Sequence, residues 1–101
     1  MEIKKLEQDG AVVLSFSGML DSSTSSQFQS QIDQILADGV KSVRLDLSEL
    51  EYISSQGLRL ILSLQKGLVA AGGTLVVTKL KPVVKEVFDI TGFSEIFTVE
   101  D

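Results

Sequence analysis

Residues 46–59 read DLSELEYISSQGLR, and this stretch decides the fold of the chain. An alternating apolar strand runs into two serines and a glycine, and a leucine-rich helix follows directly. A serine in this position lies at a helix N-terminus, where unpaired backbone N–H groups and the helix dipole favour negative charge. Its hydroxyl is either a helix cap or the acceptor of a phosphoryl group, and both interpretations remain open.

Strands and helices alternate on both sides of this stretch. Upstream, Asp9-Gly10 is typical of a two-residue hairpin turn, and Asp21 or one of the serines after it is expected to cap the first helix. The carboxylates Asp46, Glu49 and Glu51, in the third strand and the loop after it, are expected to form a solvated acidic loop rather than a metal site. The predicted elements are strands at 2–8, 11–18, 42–47, 74–78 and 95–99, and helices at 24–38, 56–71 and from Pro82 to Gly92. Tyr52 and Ile53 are expected to extend the direction of the third strand.

This order predicts one α/β domain that spans residues 1–101. The sheet is expected to be mixed but mostly parallel, with about five strands, three or four helices and an N-terminal β-hairpin. Sites in such sheets gather where strands give way to helices at their carboxyl ends. The loops at 20–25 and 53–57 are therefore expected to lie close together.

The composition excludes several kinds of function. The 101 residues contain no cysteine and no histidine, which removes disulfides, the usual zinc sites and Cys-His or Ser-His-Asp catalysis. A net charge of −5 argues against nucleic acid and against an anionic membrane surface as partners. No signal peptide or membrane-spanning run is visible, so we expect a cytoplasmic protein. Because histidine and cysteine are absent, we also expect that the protein is not an enzyme and needs no metal or cofactor.

Several short segments, taken together and in order, are similar to one family. They cover nearly the whole chain: Gly18-Met19-Leu20-Asp21, Leu45-Asp46-Leu47-Ser48, Tyr52 to Leu58, Gly72-Gly73-Thr74-Leu75, and Val83 to Phe88 with Thr91-Gly92-Phe93. This layout resembles the STAS domain and, within it, the bacterial anti-sigma factor antagonists.

The resemblance implies a mechanism and a set of residues. Antagonists of this family bind an anti-sigma factor that is itself a serine kinase, and so regulate transcription by partner switching. The kinase phosphorylates a serine, and a PP2C-type phosphatase removes the phosphate. Carried over by motif, the phosphoacceptor is Ser55; Ser54, which stands where well-studied members have aspartate, is the second choice. The implied partner-binding residues are Asp21, Ser22, Ser54, Gln56, Gly57 and Leu58.

Two alternatives from other functional classes stay open. Some STAS domains act without phosphorylation, as scaffolds or as accessory subunits of transporters. A small enzyme or nucleotide-binding domain is disfavoured, because the chain lacks histidine, cysteine and a glycine-rich phosphate loop. The role of Gly57 is open in the same way, because a missing side chain either allows close packing or leaves the neighbouring serine accessible.

Overall fold

A computed structural model of the chain describes residues 1–100, which form two layers, a sheet and a set of helices. The strands are β1 (Glu2–Gln8), β2 (Ala11–Leu20), β3 (Ser42–Ile53), β4 (Thr74–Thr78) and β5 (Thr98–Glu100). The helices are α1 (Ser25–Ala37), α2 (Ser55–Ala70), α3 (Pro82–Thr91) and the short α4 (Phe93–Ile96). The predicted fold class, a mixed and mostly parallel sheet of about five strands with three or four helices, is confirmed.

The five strands lie in the sheet in the order in which they occur in the chain. Strands β1 and β2 are antiparallel, and every other neighbouring pair is parallel. The hairpin turn uses Asp9 and Gly10 at φ 51° and 80°, the left-handed conformation that a primed two-residue turn requires. The hairpin therefore supplies the antiparallel edge that the sequence predicted.

This strand order places the helices on one face of the sheet. Each crossover between parallel strands moves one place in the same direction, and right-handed crossovers of that kind all pass over the same face. The register agrees, because the buried residues form rows across β2, β3 and β4, such as Leu14, Leu45 and Val77. The residues between these rows, including Ser15 and Arg44, lie on the uncovered face.

Aromatic side chains join the helices to the sheet. Phe16 of β2 meets Phe28 of α1 edge to face, with ring centroids 5.0 Å apart. At the other side of the molecule Phe97 contacts Phe88 and Phe93, with centroid distances of 5.9 Å and 5.6 Å. Such aromatic pairs stabilise a fold by more than the burial of their apolar surface alone would.

The prediction of an acidic loop after the third strand is wrong, because β3 continues without interruption to Ile53. Two register shifts against β2 each add one residue to β3, so that Ser17 pairs with Glu49 and Met19 with Tyr52. The buried residues of β3 are consequently spaced by three after the shifts, at Leu47, Leu50 and Ile53. That spacing hides the two-residue period by which a strand is recognised.

The last strand is also shorter than predicted. Residues 93–96 form α4, and β5 begins only at Thr98, whereas the sequence predicted a strand at 95–99. Gly92, at φ 80°, ends α3 and turns the chain directly into α4. This turn brings Phe93 onto Phe97, so packing of the aromatic rings outweighs the β-propensity of the segment.

Candidate functional site

The loops after β2 and β3 meet at one edge of the sheet, as predicted. The Ser54 N–H donates a hydrogen bond to the Leu20 carbonyl at 2.9 Å, and Leu20 pairs with Ile53 in the register of the two strands. Carboxyl ends of adjacent parallel strands share an edge, so the β2–α1 loop and the start of α2 form a continuous surface.

Ser54 caps helix α2. Its backbone is extended, at φ −87° and ψ 169°, and its hydroxyl oxygen accepts the Gly57 N–H at 3.1 Å. The Leu58 N–H then donates to the Ser54 carbonyl at 3.0 Å, which is the first hydrogen bond of the helix. The prediction that one of the two serines is a cap is confirmed, and the cap is Ser54.

Ser55 is the first residue of α2, and it is exposed. In the part of the chain that the structure describes, its hydroxyl has no hydrogen-bond partner. Gln56, the next residue, is exposed as well. The capping role and the accessible hydroxyl are thus divided between two adjacent serines.

Gly57 is buried and serves close packing. A Cβ atom added there would lie 2.8 Å from Leu20 Cγ and 3.0 Å from Ile53 Cγ1, closer than real Cβ contacts. Leu58 is 3% exposed and belongs to the core. Of the residues implied to bind a partner, these two lie beneath the surface, where they position the turn that carries Ser55.

Asp21 organises the loop before α1. Its Oδ1 accepts the Ser23 N–H at 3.0 Å, the Ser23 hydroxyl at 2.7 Å and the Thr24 N–H at 3.2 Å. The expectation that Asp21 or a serine caps α1 is wrong, because Thr24 occupies the N-cap position and makes no side-chain cap bond. Asp21 closes the preceding turn instead, which is the characteristic role of an aspartate that bonds to nearby backbone. Ser22 is exposed within that turn.

Two carboxylates in this region stay ionised more readily than usual. The hydrogen bond from the Ser23 hydroxyl, joined by those of Thr24, lowers the pKa of Asp21 and outweighs the desolvation that raises it. Burial raises the pKa of Asp46, but the Ser48 N–H and hydroxyl and the charge of Lys79 together bring that pKa below its ordinary value. The surface beside Ser55 therefore carries a stable negative charge at Asp21.

Two exposed apolar side chains lie beside this surface, and the sequence patterns did not identify them as part of the site. Met19 and Tyr52 are register partners on β2 and β3 and are 52% and 48% exposed. Tyrosine is enriched among the residues that dominate protein interfaces. The pairing that brings them together depends on the register shifts of β3, so no local signal in the sequence indicates it.

The largest features outside the two loops lie away from Ser54 and Ser55. A cleft of about 470 Å³ lies elsewhere, lined by the Asp9-Gly10 turn and by Gly39 after α1, and it contains none of the loop residues described above. Among residues 1–100 no group of three or more acidic side chains is placed to hold a metal ion. No helix in the described part of the chain is long and apolar enough to cross a membrane.

The sheet order, the one-sided helices and the serine at the start of α2 define a small α/β domain. The family model for the STAS domain matches residues 2–101, and the chain belongs to this family. The Bordetella bronchiseptica protein BtrV, provisionally named an anti-sigma factor antagonist, is 41% identical over 91 residues, which cover 90% of this chain and 78% of BtrV.

Solved structures share the fold. A Thermotoga maritima protein, provisionally described as an anti-sigma factor antagonist, superimposes with a TM-score of 0.92 at 24% identity, covering 98% of this chain and 86% of its own. The anti-sigma factor antagonist SpoIIAA in its unphosphorylated form gives a TM-score of 0.80 at 22% identity, covering 99% and 88%. Bacillus SpoIIAA in its phosphorylated form gives a TM-score of 0.78 at 20% identity, and the match covers 97% of this chain and 90% of the SpoIIAA chain.

Proposed function

We propose that this protein is an anti-sigma factor antagonist whose docking surface is switched off by phosphorylation of Ser55. The observation that carries the proposal is the exposed Ser55 at the first residue of α2, held beside the Asp21 turn. Membership of the STAS family and the name of BtrV support the antagonist role. The existence of SpoIIAA in two phosphorylation forms supports the switch.

The partner is an anti-sigma factor that acts as a serine kinase, and a PP2C-type phosphatase restores the unmodified form. Docking uses the exposed residues Ser22 and Gln56 with the half-buried Asp21 and Ser54, while Gly57 and Leu58 fix the position of the turn. The interaction takes place in the cytoplasm and frees a sigma factor.

The switch is electrostatic. Phosphorylation adds about −1.5 to −2 charges, which the N-terminal end of a helix tolerates within the domain. A docking partner has to desolvate that charge, and the chain already carries a net charge of −5. Phosphorylated Ser55 therefore opposes docking without unfolding the domain.

The first experiment incubates the protein with ATP and host lysate, followed by intact-mass analysis and peptide mapping. The wild type is expected to gain one phosphate at Ser55, and Ser55→Ala none. Ser63→Ala is the matched control, since Ser63 is exposed on the same helix and is expected to leave phosphorylation unchanged. A Mn²⁺-dependent PP2C-type phosphatase should remove the phosphate. Phosphate on Ser54 would keep the switch and correct its residue.

A binding assay with the purified kinase completes the test. Ser55→Ala is expected to bind like the wild type but to escape regulation, and Ser55→Asp is expected to bind at least about tenfold more weakly, in keeping with the cost of a desolvated charge. Equal binding of Ser55→Asp and wild type would refute the switch. Binding that is indifferent to every change at Ser55 would identify an unmodified docking module instead.

A further inference from the structure

Arg59 lies one helical turn after Ser55 and has an unpaired charge. The ion pairs in the described part of the chain are Lys4–Glu2, Lys5–Glu7, Arg44–Glu100 and Lys81–Glu51, and none involves Arg59. Both Ser55 and Arg59 are exposed on α2. Residues four apart on a helix share a face, with Cβ atoms about 5–6 Å from each other. The guanidinium is therefore within reach of a group attached to Ser55.

The direction of helical side chains favours this contact. Side chains on an α-helix lean toward its N-terminus, so the long Arg59 side chain extends over the turn that carries Ser55. The first turn of α2 contains no acidic residue that would compete for it. A guanidinium also presents a planar set of N–H donors that matches phosphate oxygens.

We propose that Arg59 is the internal counter-charge of the phosphoryl group on Ser55, donating hydrogen bonds to its oxygens. This inference rests on the proposed function, because it concerns the phosphorylated form of the same site. In the unmodified protein the guanidinium is free to meet a carboxylate of the partner. Phosphorylation then alters the docking surface twice, by adding a dianion and by engaging an exposed cation.

The test installs phosphoserine directly at position 55 by genetic encoding and titrates it by ³¹P NMR. A nearby cation favours the dianion, so Arg59 lowers the second pKa of the phosphate. In Arg59→Gln this pKa is expected to rise by about 0.3 pH units, the size of a helical pair four residues apart. Arg59→Lys should retain most of the lowering of this pKa. Because salt screens exposed charges, 1 M NaCl should reduce the pKa difference between wild type and Arg59→Gln.

Lys66→Gln is the matched control, because it removes one exposed positive charge from the same helix about 16 Å from Ser55 along the axis. Asp21 on the adjoining loop and Asp46, Glu49 and Glu51 on β3 stay the same in every variant. An equal pKa in wild type and Arg59→Gln, or an equal shift in Lys66→Gln, would overturn the pairing. Since phosphoserine is installed without the kinase, failure of the lysate experiment would favour the unmodified docking module and leave this measurement intact.

Discussion

Ser54 and Ser55 are neighbours in the chain, but the helix assigns them different chemistry. The Ser54 hydroxyl accepts the Gly57 N–H, while Ser55 is exposed on the first turn of α2. Because the cap is neutral and the turn has no acidic residue, a phosphate on Ser55 would meet no carboxylate within that turn. An aspartate at the cap, as in well-studied members of the family, would place a negative charge beside the phosphate.

At this scale Ser54→Ala is expected to lower the free energy of unfolding by about 1 kcal/mol, because the Gly57 N–H loses its acceptor. Ser54→Asp should keep the cap and most of the stability. Urea denaturation followed by circular dichroism measures both changes. The matched control is Ser63→Ala in the interior of the same helix, which should not destabilise the protein. A Ser54→Ala protein as stable as the wild type would show that the cap contributes nothing.

At the scale of elements, helix α2 is positioned by two glycines that differ in what they contact. The helix carries seven apolar residues between 58 and 69, and Val69 among them is 62% exposed because helices cover only one face of the sheet. Gly57 approaches the fully buried Leu20, whereas a Cβ on Gly67 would lie 2.8 Å from Cδ1 of the half-buried Leu36 on α1.

Replacing each glycine by alanine separates these two contacts. Gly57→Ala is expected to destabilise the protein by about 1–3 kcal/mol, because Leu20 and Ile53 have no space into which to move. Gly67→Ala should stay within about 1 kcal/mol of the wild type, because the flexible end of Leu36 can yield and alanine favours the helix. Thermal unfolding of both variants gives the comparison. The reverse order of stabilities would contradict the packing described for the loop below Ser55.

At the scale of the whole molecule, β2, β3 and β4 form the interior of the sheet. These strands have neighbours on both sides, and their buried rows face the helices. Strand β5 has three residues and one neighbour. The candidate site lies at the carboxyl ends of β2 and β3, so it rests on interior strands of the sheet.

Native-state hydrogen exchange tests this distribution. The amides of Leu14 and Leu45 are expected to exchange only through global unfolding. The amide of Val99 is expected to exchange at least about tenfold faster than these two, through local opening of β5 at the edge of the sheet. NMR detection at several low urea concentrations distinguishes the two routes. Equal protection of Val99 and Leu45 would show that β5 opens only together with the rest of the sheet.

The sequence by itself determined the features that depend on neighbours in the chain. The Asp9-Gly10 turn, the alternation of Leu14 and Phe16 with polar residues, and the serine at the start of α2 follow from local backbone and side-chain preferences. The order of strands and helices, with the known handedness of crossovers, then predicted the sheet and the meeting of the two loops.

Only the tertiary structure decided which side chains reach the surface at the site. The two register shifts of β3 set the pairing of Met19 with Tyr52, and burial against Leu20 removed Gly57 from the surface. The division of roles between Ser54 and Ser55 likewise required the observed start of α2. The pairing of Met19 with Tyr52 and the burial of Gly57 depend on contacts between residues about 30 or more positions apart, which leave no periodic pattern in either segment alone.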